Sequence, residues 1–257
     1  MSKLAGWGLT LICALASGLA QENAKKLSSD ASAAGITQKQ AQAILGELRA
    51  IHKLLASENR TANAPLPQKS VSKVELNLRH GWYSMGRSDA PVTVVEFADY
   101  QCPFCRQYHA VTFPEIKKNY IDTGKVRFIS RDMPLDFHDR ALRAAEAARC
   151  AGEQEKFWEL RDFLIANSNN LSDETIQKGA RTLGLDLSTF QLCVNSETHK
   201  ADIEKDLADA TSLQISGTPT FVIGRATSDL LKGVLLVGAQ PYSTFESVIQ
   251  EAMKAAP

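Results

Sequence analysis

Residues 92–105 read VTVVEFADYQCPFC, an apolar and β-branched run followed by two cysteines three positions apart. The run over residues 92–97 is typical of a strand buried on both faces. A helix is expected over residues 102–119 and a second strand over residues 125–131, with a turn at residues 122–124 between them. A strand, a helix and a strand in this order form a βαβ unit. The cysteines therefore stand where the first strand gives way to the helix.

The position of the two cysteines favours a reactive pair. Pro103 is well tolerated in the first turn of a helix, which places Cys102 at or beside the N-cap. There the helix dipole and the free N–H groups stabilise a thiolate and lower its pKa. Cys105 lies one turn deeper, within reach of Cys102. One thiol that attacks and a second that resolves the mixed disulfide are what thiol–disulfide exchange requires.

Two other interpretations of the pair are a zinc site and a structural disulfide. Zinc needs four ligands, usually two such pairs, and Cys150 and Cys193 form no second C-x-x-C. A bridge across four residues closes almost no loop and therefore contributes little stability. Redox activity is the interpretation that this spacing favours.

A second motif, SGTPTF at residues 216–221, lies beyond a stretch of mostly helical pattern. Together with VTVVEFADYQCPFC, this arrangement resembles the DsbA-type thiol–disulfide oxidoreductases over about residues 85–252. The resemblance implies an α/β thioredoxin fold with an inserted helical domain. It also implies that Cys102 is the nucleophile, Cys105 the resolving cysteine and Pro219 a cis-proline facing them.

Proline at Pro219 fits the start of a strand, where a sheet tolerates it. A cis peptide there would turn the Thr218 backbone toward the cysteines, where it could bind an extended substrate chain as an added strand. An ordinary trans proline is the commoner case for X–Pro bonds, and only the resemblance favours cis.

Three further positions near the motif carry expectations. The resemblance places a buried acid at Glu96, with a raised pKa and the role of shuttling the Cys105 proton; the alternative is a strand-end glutamate that reaches water. Phe104 stands where the best-known DsbA enzymes have histidine, which predicts a weaker oxidant. His109, two turns beyond Cys102, is expected to be a surface residue.

The rest of the body is predicted as one domain over residues 71–257, with a helical insertion at about 138–213. Its predicted elements are helices over residues 141–151, 157–166, 172–183, 188–193 and from about 200, strands over 220–223 and 234–237, and a last helix over 242–254.

The first twenty residues have the order of a secretory signal: Lys3, an apolar core, and small residues up to Ala20. An uncleaved anchor is the alternative. Export changes the interpretation of the cysteines, because an even number in an oxidising compartment favours disulfides. Cys150 and Cys193 are therefore expected to be bonded to each other, the alternative being two buried thiols.

Residues 21–70 are expected to hold one amphipathic helix and a linker. Thr37 and Gln40 fit a capping box, and the helix is predicted to end near Ser57. The prolines of residues 59–70 indicate a linker. An apolar seam runs along the helix through Ala41, Ile44, Leu48, Ile51 and Leu55. Such a seam favours pairing with the same helix of a second chain, and folding back onto its own domain is the alternative.

These features predict an exported oxidoreductase, periplasmic or secreted in a bacterium, that acts on cysteine-bearing exported proteins. A membrane redox partner would reset it, and no metal or organic cofactor is implied. The chain has 29 Lys and Arg against 29 Asp and Glu, which argues against nucleic acid as a partner. Oxidase, isomerase and reductase stay open, although the seam and Thr218 favour a dimeric isomerase or reductase. The alternatives are a holdase whose cysteines are incidental and a protein that binds Cu(I) through its thiols.

Overall fold

The computed structural model describes residues 37–62, 72–79, 83–227 and 229–254. The chain divides into two compact units, Met1–Lys69 and Ser70–Pro257. The predicted signal segment and most of the predicted linker lie outside the described residues. No described helix has both the length and the apolar content needed to cross a bilayer.

Helix α1 (Gln38–Ala62) is the described part of the first unit. Its start is the predicted capping box: the Thr37 N–H donates to Gln40 Oε1 at 3.0 Å, and the Gln40 N–H donates to Thr37 Oγ1 at 3.4 Å. The helix continues to Ala62, five residues past its predicted end and into the predicted linker. Ile44 and Leu48 on the predicted seam are 50% and 52% exposed.

A six-stranded mixed sheet forms the centre of the second unit, in the order β1-β6-β5-β3-β4-β2. β3 and β4 are parallel, and every other neighbouring pair is antiparallel. All seven residues of β3 are buried, as its β-branched sequence predicts. The strands are β1 (Lys73–Asn77), β2 (Tyr83–Met85), β3 (Val92–Ala98), β4 (Val126–Asp132), β5 (Thr220–Ala226) and β6 (Leu230–Val237).

The side chains of β3 alternate between two cores. Val92 and Val94 pack with residues of the helices before β4 and at the end of the chain. Val95 and Phe97 belong to the core on the other face. The sheet is therefore covered on both faces, which explains why its central strand is apolar throughout.

The single helix expected over residues 102–119 is three short elements: α2 (Pro103–Val111), α3 (Phe113–Ile116) and a π-helical turn (Lys117–Ile121). Pro114 has no N–H to donate to a carbonyl one turn back, so the α-helical ladder breaks next to it. The break limits α2 to the nine residues that follow Cys102 and include Cys105.

The inserted helical block has a hydrophobic core of its own, in which five alanines of its first helix lie at under 2% exposure. Side-chain caps fix two of its helix starts: Ser172 accepts from the Thr175 N–H, and Asp186 accepts from the Thr189 N–H. The block contains α4 (Ala141–Gly152), α5 (Phe157–Ala166), α6 (Asp173–Thr182), α7 (Leu187–Asn195) and α8 (Lys200–Ser212), and α9 (Tyr242–Lys254) follows β6.

Buried ion pairs join this block to the sheet. Arg131 on β4 donates to Asp206 Oδ1 on α8 at 2.6 Å. Arg149 on α4 donates to Asp132 Oδ2 at 2.6 Å and to Asp206 Oδ2 at 2.5 Å. Breaking a buried pair typically costs about 3–5 kcal/mol because a charge is left without a partner. The network therefore fixes the orientation of the helical block on the sheet.

A disulfide joins Cys150 on α4 to Cys193 on α7, 43 positions apart, as the cysteine count predicts. The alternative of two separate buried thiols is wrong in this structure. The bridge connects two helices of the inserted block and lies outside the pair at residues 102–105.

We expect loss of this bridge to destabilise the fold through the unfolded state. On the chain-entropy estimate a loop of this length contributes about 4 kcal/mol. The C150A/C193A variant should lose that amount of unfolding free energy in urea denaturation. The protein with the bridge and the C150A/C193A variant both carry the additional substitutions C102A and C105A, which prevent thiol rearrangement. A loss below about 1 kcal/mol would contradict the prediction.

Candidate active site

Cys102 is the N-cap residue of α2, with extended backbone angles of φ −69° and ψ 123°. Its carbonyl accepts the first helical hydrogen bond, from the Arg106 N–H at 3.2 Å. The residue is 4% exposed, whereas Phe104 beside it is 59% exposed. Both active-site cysteines are reduced. The predicted position at the helix start, with Pro103 in the first turn, is present.

The second motif lies against the first. The Thr218–Pro219 peptide is cis, and the Cys102 thiol donates to the Thr218 carbonyl oxygen at 3.4 Å. Pro219 itself accepts from the Gly238 N–H at 2.8 Å, which ties the motif to the end of β6. Residues 116 positions apart in the sequence thus meet at the thiol that is placed to attack.

The two thiols have opposite shifts in pKa. A hydrogen bond from Cys105 is the largest cause that lowers the pKa of Cys102, against the opposing effect of burial. Contacts with the Thr218 side chain and with the backbone N–H groups of Phe104 and Cys105 add to it, and together they bring the pKa to about 6. Burial raises the pKa of Cys105 well above its ordinary value, and its hydrogen bond to Cys102 and the charge of Glu96 add to the effect. At neutral pH one sulfur is a thiolate and the other a thiol.

Asp99, which the sequence analysis did not single out, fixes the loop before α2. It is fully buried. Its Oδ1 accepts from the Gln101 N–H at 2.7 Å and the Cys102 N–H at 3.1 Å. Its Oδ2 accepts from the Leu135 N–H at 2.8 Å and lies 2.8 Å from His138 Nδ1. An aspartate whose side chain accepts from the backbone N–H groups two and three residues ahead forms an Asx-turn. Asp99 just before Cys102 could therefore have been predicted from the sequence to hold this loop.

Glu96 is buried, not a strand-end residue that reaches water. Burial alone would raise its pKa, but the charges and hydrogen bonds of His109 and Arg161 outweigh burial and lower the pKa below its ordinary value. The raised pKa predicted for Glu96 is therefore wrong.

The surface location predicted for His109 is also wrong. Its side chain is 8% exposed, and its Nε2 lies 3.0 Å from Glu96 Oε1. Glu96 and Arg161 contact the His109 ring where a surface residue would meet solvent. Arg161 lies on α5, 65 positions from Glu96 in the sequence, so no local pattern predicted that the two residues form a pair.

Among the described residues, one cluster has the side chains and spacing of a metal site: Cys150, Cys193 and His199. Two of its three donors are the sulfurs that form the disulfide. At the active site, Cys102 and Cys105 supply two thiols, and among the described residues no third histidine, cysteine or carboxylate donor joins them at the spacing of a metal site.

We predict that the Cys102 thiolate is present down to about pH 6. Thiolate absorbance of the reduced protein should titrate near that value. In C105A the titration should move to higher pH, because the hydrogen bond from Cys105 that stabilises the thiolate is gone. A Cys102 pKa at the free-cysteine value of about 8.5 would contradict this assignment.

The chain is similar in sequence to a known family and to proteins of known name. The thioredoxin family model matches residues 80–250. The Na(+)/H(+) antiporter NhaA 3 of Salinispora tropica is 39% identical over 139 residues, which are 54% of this chain and 21% of that protein. Disulfide bond formation protein D of Bacillus subtilis is 30% identical over 148 residues, 54% of this chain and 66% of that protein. The chain thus spans about a fifth of the antiporter and just under two thirds of the Bacillus protein.

The crystal structure of Wolbachia pipientis alpha-DsbA1 is similar in fold, with a TM-score of 0.61 and 30% sequence identity. The similarity covers 67% of this chain and 91% of that chain. It includes the inserted helical block as well as the sheet, in agreement with the sequence-based expectation. The chain belongs to the thioredoxin family and is a DsbA-like member of it.

Proposed function

We propose that the protein is a thiol–disulfide oxidoreductase that acts through a mixed disulfide between Cys102 and its substrate. The observation that carries this proposal is the pair of unequal thiols at the start of α2, with Cys102 Sγ 3.4 Å from the Thr218 carbonyl. A thiolate near neutral pH beside a protonated partner is the requirement for attack followed by resolution.

The reaction in the reducing direction has two steps. The Cys102 thiolate attacks one sulfur of a substrate disulfide, and the other substrate sulfur leaves as a thiolate. Cys105 then gives up its proton and attacks Cys102 Sγ, which releases the second substrate sulfur and leaves a Cys102–Cys105 disulfide. The same steps in reverse form a disulfide in the substrate. The Thr218 carbonyl, next to cis-Pro219, is placed to accept a hydrogen bond from an extended substrate chain.

The proposed substrates are cysteine-bearing exported proteins in the periplasm or outside a bacterial cell. The signal-like order of residues 1–20 supports export. The Cys150–Cys193 disulfide supports an oxidising compartment, and the name of the Bacillus relative points to disulfide formation in that protein. A membrane redox partner would restore the active site after each cycle, since the two cysteines change oxidation state.

Substitution of the two cysteines should separate their roles. C105S should accumulate mixed disulfides with scrambled ribonuclease, whose disulfides the Cys102 thiolate can attack, because no resolving thiol is left. C102S should form none and should not refold scrambled ribonuclease. Non-reducing electrophoresis and recovered ribonuclease activity measure both effects. Full refolding activity in C102S would contradict the proposal and favour a holdase whose cysteines are incidental.

We further propose that α1 pairs with the α1 of a second copy. Ile44 and Leu48 are half exposed on the seam within their unit, and such apolar side chains on a secreted protein need a cover. Pairing of the same helix gives a closed two-fold dimer with two Cys102 sites, an arrangement that suits an isomerase.

Deletion of residues 21–70 should produce a monomer that keeps its dithiol reactivity and loses isomerase activity. Light scattering of the mature and shortened proteins measures the masses. Substitution of Ile44 and Leu48 by glutamate is the matched test within the full-length protein. A mature protein that is already monomeric at tens of micromolar would refute the dimer.

A further inference from the structure

Three ionisable side chains from three elements meet in the interior beside Cys105: Glu96 on β3, His109 on α2 and Arg161 on α5. Arg161 Nη2 donates to Glu96 Oε2 at 2.5 Å, and Arg161 Nε donates to Ser130 Oγ at 3.1 Å. Glu96 and Arg161 have no exposed side-chain surface. The group is close enough to Cys105 for the Glu96 charge to raise the pKa of that thiol.

His109 and the Arg161 guanidinium together keep Glu96 in its carboxylate form. A carboxylate whose pKa lies below the ordinary range is a weak base, and the Cys105 thiol, whose pKa is raised, is a weak acid. Transfer of a proton from Cys105 to Glu96 is therefore uphill. A different buried group is better suited to accept the proton that Cys105 releases.

The hydrogen bonds of His109 decide which ring nitrogen is free. Nε2 lies 3.0 and 3.1 Å from the two carboxylate oxygens of Glu96. Arg161 Nη2 lies 3.0 Å from the same nitrogen, but it already donates to Glu96 Oε2. A carboxylate only accepts, so the tautomer that satisfies both Glu96 contacts carries its proton on Nε2 and its lone pair on Nδ1. Nδ1 is buried and has no hydrogen-bond partner among the described residues. His109 follows Cys105 by four positions on α2, which places the two side chains on the same helix face.

We propose that His109 accepts the Cys105 proton in the resolving step, and that Arg161 is the positioning residue that leaves this role to His109 by holding Glu96 as a carboxylate. The proposal rests on the thiol–disulfide exchange proposed above. The proton moves from Cys105 Sγ to Nδ1, and the lone pair of Cys105 Sγ forms the bond to Cys102 Sγ. The electron pair of the Cys102–substrate bond leaves with the substrate as a thiolate. The histidinium then returns its proton to that thiolate or to water.

The charged and titratable groups that act on His109 are few. They are Glu96, Arg161 and Asp162, and the neighbouring Tyr108 and Cys105 belong to the same helix. Burial lowers the pKa of His109 below its ordinary value, while Glu96 opposes the shift. Glu96 titrates below the neutral range, and Tyr108 and Cys105 titrate above it. Cys102 titrates near pH 6, but during the second release its sulfur is bonded to the substrate half and does not titrate. A plateau in the rate of the second release therefore reports on the histidine.

The test uses the full chain and an aromatic disulfide whose two halves are released as coloured thiolates. The first release reports the attack by Cys102, and the second reports resolution by Cys105. In the wild type the second rate should level off above the pKa of His109. In H109Q, which can still donate to Glu96, the second rate should fall by about 10²-fold. It should also rise about tenfold per pH unit without a plateau, because it then follows the thiolate fraction of Cys105.

Three further variants complete the test. H199Q, which changes a histidine of the inserted block, is the matched control and should leave both releases as in the wild type. E96Q should keep the plateau, moved to lower pH because the charge that supports protonation of His109 is gone. Should E96Q fail to fold with Arg161 unpaired, E96Q/R161M removes both buried charges together.

A second release in H109Q with the wild-type rate and plateau would overturn the inference. So would loss of the plateau in folded E96Q while H109Q retains it, since Glu96 would then be the base. These outcomes differ from failure of the proposed function itself, in which the wild type shows no rapid first release near neutral pH.

Discussion

Two sulfurs three residues apart experience opposite electrostatic environments, and the rest of the site depends on this difference. Cys102 stands at the helix start, where donors surround it, and Cys105 lies inside, near a fixed carboxylate. A negative charge is stabilised at the first sulfur and disfavoured at the second. The difference gives the pair a direction: the outer sulfur attacks, and the inner one reacts only after losing a proton.

The inserted helical block contributes directly to this environment. Its connection from β4 supplies the Leu135 N–H and His138, which hold Asp99, and Asp99 in turn holds the backbone of Cys102. Its helix α5 supplies Arg161 to the carboxylate beside Cys105. The Arg131, Arg149, Asp132 and Asp206 network keeps the block in a fixed orientation on the sheet. Charges that are buried at such cost therefore serve to position the redox pair.

The parts of the site that could be predicted are those that local sequence determines. The β-branched run, the helix start at Cys102 and the capping box at Thr37 depend on neighbours within a few residues. The partners of Glu96 lie 13 and 65 positions away, and the sequence gives no sign of them. The edge strands β1 and β2 were missed because they are short and partly exposed, so their residues lack the apolar run that identified β3. His109 was misplaced because helix periodicity shows which residues share a face but not what packs against it.

The opposite pKa shifts of Cys102 and Cys105 are tested most directly by comparing the two thiols in one experiment. The fully reduced protein is treated briefly with iodoacetamide over a range of pH, and mass spectrometry of its peptides measures modification at each cysteine. We expect Cys102 to be alkylated with a midpoint near pH 6, while Cys105 stays unmodified throughout the neutral range. Modification of both cysteines with the same pH dependence, or of Cys105 first, would contradict it.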